Sequence, residues 1–313
     1  MLRNLPIGRR LVITMMVTIT LLTFSMQFMS ASNMQSALAE AERRELMEIH
    51  EGVMAQLTAQ GRMARAMSQL VAGIPEVQQA FAAGDRARLQ ALFAPGFEIL
   101  KKHYGVRQFQ FHTPPARSFL RIHKLEKFGD DLSSFRHTVV QTNQDKQPID
   151  GLESGVAGLG IRGIVPVSYQ GKHVGSVEFG MSFGQSFFDQ YAATHAVDLE
   201  LRLQRASGLE VFGGTFDSAS LVTPDSSRDA LRGNPHVTLT KRGDTPLAVY
   251  QQAVEDFSGK TIGLLAIARD RSFYASQLDE LIFTNLLLAI LGLITAAVLV
   301  WLIARSVTTS ILS

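Results

Sequence analysis

Basic and aromatic side chains alternate in a strand-like stretch near residue 120. Phe119, Arg121 and His123 are spaced by two, so in a strand they would project to one face, about 6–7 Å apart. Guanidinium and imidazolium groups on one surface can bind a carboxylate or a phosphate. Such a face is either the solvated side of a sheet or, if a helix and loops cover it, a ligand pocket.

Arg136 lies in the first turn of a helix that the sequence predicts over 135–141. The positive end of the helix dipole disfavours a cation at that position, which indicates an anionic partner. Asp130, Asp131 and a bound ligand are the candidates. A structural salt bridge and a ligand contact both fit the pattern.

Glu178 lies on the inward face of a predicted strand, 173–183, which follows a hairpin turn at Gln170-Gly171. A carboxylate at such a position is costly unless it is paired. Arg121, Arg162 or the amino group of a ligand could pair with it. The glycines between 151 and 163 are dense, which predicts close approach of backbones there.

Motifs for catalysis are missing from the sequence. The eight histidines show no HExxH spacing, the segment 151–155 has no serine in its third position, and no glycine-rich phosphate loop is present. A metal site of His112, His123 and Glu178 stays open as an alternative. We predict no catalytic residue, no metal site and no cofactor.

Composition excludes some classes of partner. The 313 residues include 30 basic and 28 acidic side chains, for a net charge of +2, which is too balanced for nucleic-acid binding. There is no cysteine, so neither a disulfide framework nor a thiolate site can form.

Two apolar segments set the predicted topology. Residues 11–31 carry no charge and have about the length that crosses a bilayer, and Arg3, Arg9 and Arg10 before them favour a cytoplasmic N-terminus. A cleaved signal peptide is the alternative for this segment. The second segment is 281–304, so the polar region between the two is expected outside the cytoplasm.

The segment from residue 32 to residue 72 predicts a long helix with one apolar stripe. That stripe packs either on a second copy of the chain, giving a homodimer, or only on its own domain. Asp85 is a predicted N-cap for a later helix, in which Pro95-Gly96 predicts a break.

The phrases FQFHTPPARSFLRIH, FGDDLSSFR, GLGIRGIVPV and GKHVGSVEFG resemble the double-Cache (dCache_3-like) sensor domain of bacterial methyl-accepting chemotaxis proteins and related transmembrane receptors. The resemblance extends from about residue 37 to residue 271. It implies an α+β fold, in which a long N-terminal helix and two PAS-like (Cache) modules are flanked by two transmembrane helices.

The resemblance also implies a division of the chain and a pocket. We expect a cytoplasmic N-terminus (1–10), a first transmembrane helix (11–31), the long helix and helical approach to the sensor (32–105), a membrane-distal Cache module (106–197), a membrane-proximal Cache module (198–278), a second transmembrane helix (281–304) and the start of a HAMP-like linker (305–313). The ligand-binding residues implied in the distal module are Arg121, His123, Arg136, Arg162 and Glu178, with Phe119, His112 and Asp131 beside them. The sensor region has no tryptophan, so the pattern of the amino-acid-binding branch is incomplete.

We therefore predict a two-pass protein of the bacterial inner membrane with a periplasmic sensor, which binds a small organic anion and acts as a homodimer. The resemblance implies a chemoreceptor that reaches cytoplasmic signalling partners through an output domain beyond Ser313. A histidine kinase or diguanylate cyclase/phosphodiesterase with the same sensor is an alternative. A stand-alone membrane-anchored binding protein is a second alternative.

Overall fold

The computed structural model describes residues 7–155 and 158–311. Arg3 of the predicted N-terminal segment, Val156 and Ala157 of the glycine-rich stretch, and the last two residues of the predicted linker lie outside the described residues. Within the described part, the chain forms seven α-helices and ten β-strands in two sheets. This is the α+β arrangement that the resemblance implied.

One helix, α1 (Ile7–Ala72), contains both the first apolar segment and the predicted long helix. No proline interrupts it. It ends where Gly73 and Pro75 follow, and Pro75 is the first residue of α2 (Pro75–Ala82), because proline fits the first turn of a helix and not its interior.

The next helix, α3 (Arg86–His103), begins after Asp85, whose carboxylate accepts a hydrogen bond from the backbone N of Arg88 at 2.9 Å. The predicted cap is therefore confirmed. The predicted break is wrong, because Pro95 lies inside the helix. Proline removes one helical hydrogen bond, but Leu89 and Phe97 on either side of it are buried and hold both halves of the helix on the core.

The first sheet contains the strands β1 (Val106–Thr113), β2 (Arg117–Arg121), β3 (Ile149–Gly155), β4 (Gly158–Tyr169) and β5 (Lys172–Met181), and the helix α4 (His137–Asp145) connects β2 to β3. The sheet is antiparallel and has the strand order β2-β1-β5-β4-β3. The predicted hairpin turn is confirmed, since Gln170 and Gly171 connect β4 to β5 and both have positive φ.

One face of this sheet packs against the helices. Phe109 and Phe179 stack on neighbouring strands with ring centroids 4.1 Å apart. The backbone of α1 runs directly over Gly163, where an added Cβ would lie 2.0 Å from the N atom of Arg65. Ser68 of α1 donates a hydrogen bond to the carbonyl of Gly163 at 2.7 Å and accepts one from the N atom of Phe179 at 3.0 Å. The glycine at 163 thus serves the close backbone approach that the sequence predicted.

The second sheet follows α5 (Gln185–His195) and contains β6 (Asp198–Arg205), β7 (Gly208–Gly214), β8 (His236–Arg242), β9 (Thr245–Glu255) and β10 (Thr261–Asp270). A 3-10 turn (Ser218–Ser220) and the helix α6 (Pro224–Leu231) lie between β7 and β8. The strand order is β7-β6-β10-β9-β8, so the five strands have the same spatial order as those of the first sheet. The chain therefore contains two modules of equal topology, a first module built on the first sheet and a second module built on the second, as two PAS-like modules require.

Two compact units divide the chain. One contains Leu46–Thr240 and Ala248–Arg269, and the other contains the described residues of Met1–Glu45, Lys241–Leu247 and Asp270–Ser313. The last helix, α7 (Ser272–Ile311), belongs to the second unit. In that unit Arg271 donates a hydrogen bond from Nε to Glu42 of α1 at 2.9 Å. Both α1 and α7 are long and apolar enough to cross a membrane, by length and composition.

Candidate ligand-binding site

The second face of the first sheet carries polar side chains and is covered by α4. Pairing of the strands places Gln110 of β1 between Arg121 of β2 and Glu178 of β5. Paired residues on antiparallel strands point to the same face. Val139 of α4 packs on Ile164 of β4 in a small apolar cluster on this side, and the face is therefore enclosed rather than solvated.

Glu178 is the centre of the buried charges on this face. Its carboxylate accepts hydrogen bonds from Arg136 at 2.6 Å, from Arg162 at 3.1 Å and from Gln110 at 3.1 Å. Burial opposes its ionisation, but the two guanidinium groups outweigh burial and lower the pKa of Glu178 to about 2. Of the two arginines considered as partners of Glu178, Arg162 is confirmed, whereas Arg121 pairs with Asp130 instead.

The partner predicted for Arg136 is wrong. Neither Asp130 nor Asp131 contacts it; its Nε donates to Glu153 of β3 at 2.8 Å, and its other end binds Glu178. Glu153 also accepts hydrogen bonds from the backbone N and the hydroxyl of Thr138, both at 2.8 Å. The carboxylate of Glu153, which lies on β3, therefore caps α4 and offsets the unfavourable position of Arg136 at the start of this helix. The helix begins at His137, two residues later than predicted.

Sequence reasoning missed Glu153 altogether. It lies in the glycine-rich stretch, and only the pairing of β3 with β4 places it on the face of Arg162. One signal in the sequence could have identified Glu153. It is a charged residue within a short run of strand residues, between Leu152 and Ser154. Arg162 also contacts Gln108 of β1.

Arg121 forms a separate pair at the edge of the face. Its two terminal nitrogens donate to the two carboxylate oxygens of Asp130, both at 2.8 Å, and one of them also donates to the carbonyl of Lys127 at 2.9 Å. The hydrogen bonds from Arg121 lower the pKa of Asp130. The 127–130 loop thus folds back over Arg121. The three arginines on this face are matched by the three carboxylates of Asp130, Glu153 and Glu178.

The structure does not place Phe119, Arg121 and His123 on one face. The register between β1 and β2 shifts next to Phe119, and its ring packs against Phe81 of the core, with centroids 5.0 Å apart. β2 ends at Arg121, so His123 lies beyond the strand with its Nδ1 at 3.2 Å from the carbonyl of Phe109. The prediction that these three side chains share one face is wrong, because a bulge next to Phe119 and the end of β2 at Arg121 interrupt the regular strand.

Asp131 and His112 occupy different surroundings. Asp131 is exposed and accepts hydrogen bonds from the N and hydroxyl of Ser133, which lower its pKa. His112 is fully buried on the polar face, and burial lowers its pKa to about 3, so the ring is neutral. Its Nε2 lies 3.6 Å from Glu178, too far for a hydrogen bond.

Metal binding finds no support in the part of the chain that the structure describes. No group of three or more His, Cys, Asp or Glu side chains is arranged there to hold a metal ion. His112, His123 and Glu178 therefore do not form the metal site that the sequence left open.

A cleft of about 500 Å³ lies beside the start of α4 and is lined on one side by Phe135 and Glu153. Arg205 and Lys260 of the second module line its other side. This cleft is a second polar surface in the same compact unit. Variants of its residues can therefore serve as controls for variants of Arg121.

Comparisons with known proteins agree with this architecture. The sequence pattern of the dCache_3 family, described as the double sensory domain of two-component sensor kinase, matches residues 25–274. No curated protein matches this sequence.

Solved structures show a similar fold. The extracellular domain of vpHK1S-Z8, a protein named as a histidine kinase, is 11% identical with a TM-score of 0.51, over 76% of this chain and 98% of that one. The ligand-binding domain of the Campylobacter jejuni chemoreceptor Tlp3, in complex with L-valine, is 10% identical with a TM-score of 0.50, over 77% of this chain and 97% of that one. At such identities the likeness concerns the fold alone.

Proposed function

Because this chain belongs to the dCache_3 family of double sensory domains, we propose that it is the sensing and membrane-spanning part of a bacterial chemoreceptor of the methyl-accepting type. The sensor lies in the periplasm, the two apolar helices cross the inner membrane, and two copies form a homodimer. The chain itself binds and transmits, and it does not catalyse. The two flanking apolar helices support this topology.

The proposed ligand is a small organic anion that binds in the first module at Arg121. The pairing of Arg121 with Asp130 carries this proposal, since a bidentate arginine–carboxylate pair has the geometry that a ligand carboxylate would adopt. The Asp130 side chain is 35% exposed, whereas that of Glu178 is 0% exposed. Asp130 is therefore the carboxylate that an incoming anion can replace, while Glu178 stays in place.

Arg136 and Arg162 then have a different role from the one predicted. Both are buried and are neutralised by internal glutamates, and removing Glu178 would leave the guanidinium of Arg162 without a carboxylate partner. We assign to them the positioning of α4 over the sheet. Direct contact with the ligand is assigned to Arg121.

Release of the Asp130 carboxylate would remove one of the contacts that hold the loop after β2. The backbone hydrogen bonds from the N of Gly129 to the carbonyl of Ser118 and from the N of Leu132 to the carbonyl of Ala116 would remain and would pass a shift of the loop on to its neighbours. Leu132 packs in one cluster with Val139 of α4. Movement of the loop would therefore reach the helix that covers the sheet.

A titration of the full chain in lipid nanodiscs against a panel of organic acids tests the ligand proposal. Arg121→Ala should weaken binding by about 10- to 100-fold, because hydrogen bonds to charged groups contribute about 1.5–3 kcal/mol. Asp130→Asn should strengthen binding, because it removes the internal competitor. Lys260→Ala in the other cleft is the control and should leave affinity unchanged. Unchanged affinity in Arg121→Ala, or a loss confined to Lys260→Ala, would reject the site.

A second candidate output is a histidine kinase, which the description of the matched family favours; a diguanylate cyclase or phosphodiesterase would use the same sensor. A stand-alone membrane-anchored binding protein would need no output at all. Determining whether the gene continues past codon 313, and into which domain, discriminates between these candidates.

A further inference from the structure

Four side chains of the first module that are almost fully buried have polar atoms without a hydrogen-bond partner among the described residues. They are both ring nitrogens of His112 and the hydroxyls of Ser118, Ser176 and Thr142, and the Nε of the buried Arg162 is also without a partner in the described part of the chain. Each of the first four residues is at most 1% exposed. We refer to the four as the hydroxyl cluster. Buried polar atoms are nearly always paired, so this concentration at one place needs an explanation.

Strand pairing brings three members of the hydroxyl cluster together. His112 of β1 is the register partner of Ser118 of β2 on one side and of Ser176 of β5 on the other. Paired Cβ atoms lie about 4.5–5.5 Å apart on the same face. Thr142 lies on the buried side of α4, one turn beyond Val139, which packs on this face of the sheet.

A buried serine elsewhere in the same module behaves differently. Ser68 is also fully buried, but its hydroxyl has both a donor and an acceptor partner, in the backbone of Phe179 and Gly163. Unpartnered hydroxyls are therefore not a general property of this core. They are concentrated on the polar face of the sheet.

The chemistry of the hydroxyl cluster is neutral. Burial keeps the His112 ring uncharged, so it offers one donor and one acceptor, and each hydroxyl offers both. Of the charged groups nearby, Arg136 and Arg162 each pair with Glu178, and the Nε of Arg162 has no hydrogen-bond partner within the residues that the structure describes. The hydroxyl cluster itself thus matches an uncharged group that both donates and accepts, such as an alcohol.

Arg121 and the hydroxyl cluster lie on the same face, one step apart. Arg121 pairs with Gln110, and Gln110 precedes His112 by two residues on β1, which corresponds to about 6–7 Å along a strand. A small acid can span that distance with a hydrogen bond of about 2.8 Å at each end.

We propose that the ligand of the first module is a small hydroxycarboxylic acid, whose carboxylate binds Arg121 and whose hydroxyl binds the hydroxyl cluster. This rests on the proposed function and adds the chemical class of the ligand. Simple alkanoic acids would leave the hydroxyl cluster unpaired and would bind more weakly. A site that is built to bind a hydroxyl discriminates strongly against the analogue that lacks it.

Matched pairs of acids test the inference with the full chain in nanodiscs. The pairs are glycolate and acetate, lactate and propionate, 3-hydroxybutyrate and butyrate, and malate and succinate. By calorimetry, at least one hydroxy acid should bind at least about tenfold more tightly than its partner. Ser176→Ala, and independently Thr142→Val, should reduce that ratio while the affinity for the deoxy acid stays the same.

The controls separate this inference from the proposed function. Ser226→Ala removes a buried and fully hydrogen-bonded serine of the second module and should leave the ratio unchanged. Equal affinities within every pair, together with a loss in Arg121→Ala, would reject the hydroxy acid and keep the anion. Binding of no acid at all would reject both. A Ser176→Ala variant that changes stability and not the ratio would show that the hydroxyl cluster binds only water, which also overturns the inference.

Discussion

Arg136 lies 2.6 Å from Glu178, and both side chains are buried between α4 and the first sheet. The pair joins the covering helix to the central strand β5. Each partner has a second one, since Arg136 also binds Glu153 and Glu178 also binds Arg162. Removal of Glu178 would therefore leave two buried guanidinium groups to share one carboxylate in a medium of low polarity.

Glu178→Gln should therefore destabilise the first module severely. It keeps the size of the side chain and removes the charge that faces two guanidinium groups, for an expected loss of about 3–5 kcal/mol in the free energy of unfolding. Urea denaturation followed by circular dichroism measures the change. Glu126→Gln, at an exposed and loose pair with Lys124, is the control and should stay within about 0.5 kcal/mol. A Glu178→Gln chain as stable as the parent would show that the buried charges do not hold α4 in place.

Stability should fall on acidification from pH 6.5 because of two buried histidines. Burial lowers the pKa of His50 to about 4 and that of His112 to about 3, from an ordinary value of 6.5. Between these values the unfolded chain binds protons that the folded chain does not, so stability is full above pH 6.5 and is lost as the pH falls toward 3. Thermal unfolding at a series of pH values measures this. His50→Phe should flatten part of the slope between pH 6.5 and 4, and an unchanged slope would contradict the buried neutral ring.

Acidification below about pH 4.5 adds a contribution from Glu178. Its folded pKa of about 2 lies below the ordinary 4.5, so the stabilisation is present above pH 4.5 and disappears as the pH falls toward 2. Glu178→Gln should lack this low-pH component while retaining that of the histidines. The same melting series, compared between parent and variant, resolves the two windows; parallel curves below pH 4.5 would disagree with the assignment.

Gly163→Ala should loosen the contact of α1 with the first sheet. The added methyl would lie 2.0 Å from the backbone N of Arg65, and overpacking of this kind costs about 1–3 kcal/mol or more. Gly96→Ala is the matched control, because its Cβ meets nothing within 4 Å inside a helix, where alanine is favoured by about 0.5–1 kcal/mol. The two variants should shift the melting temperature in opposite directions. Equal shifts would mean that α1 can move away from β4 at little cost.

A double-mutant cycle on Glu42 and Arg271 should show strong coupling. Their two-pronged contact, at 2.9 and 3.3 Å, is largely buried and lies just before the start of α7. We expect a coupling energy of about 1–3 kcal/mol from Glu42→Gln, Arg271→Gln and the double variant. The exposed pair of Arg43 with Glu40 serves as comparison and should give about 0.5 kcal/mol or less.

Local signals predicted much of the fold. The three- and four-residue spacing of apolar side chains predicted the long helix, Asp85 predicted a helix start, and the Gln170-Gly171 pair predicted a hairpin. Each of these depends on neighbours within a few residues. Arg162 was one of the candidate partners predicted for Glu178, because a buried acid limits its partners to the few available cations.

Long-range register explains what the sequence could not predict. Glu153 reaches Arg136 only because β3 pairs with β4, and a shift of one residue would have turned it to the other face. The register shift next to Phe119 likewise sends that ring into the core. The assignments of Arg121, His123, Arg136, Arg162, Glu178, Phe119, His112 and Asp131 to ligand contact stay predictions.

The contact between Ser68 and the backbones of Gly163 and Phe179 joins α1 to two adjacent strands through main-chain atoms. Those strands carry the side chains of the proposed ligand site on the opposite surface. Under that proposal, specificity can change at positions such as Ser176 without altering how the helix is fastened, and new ligands could be acquired while the same mechanical linkage is kept.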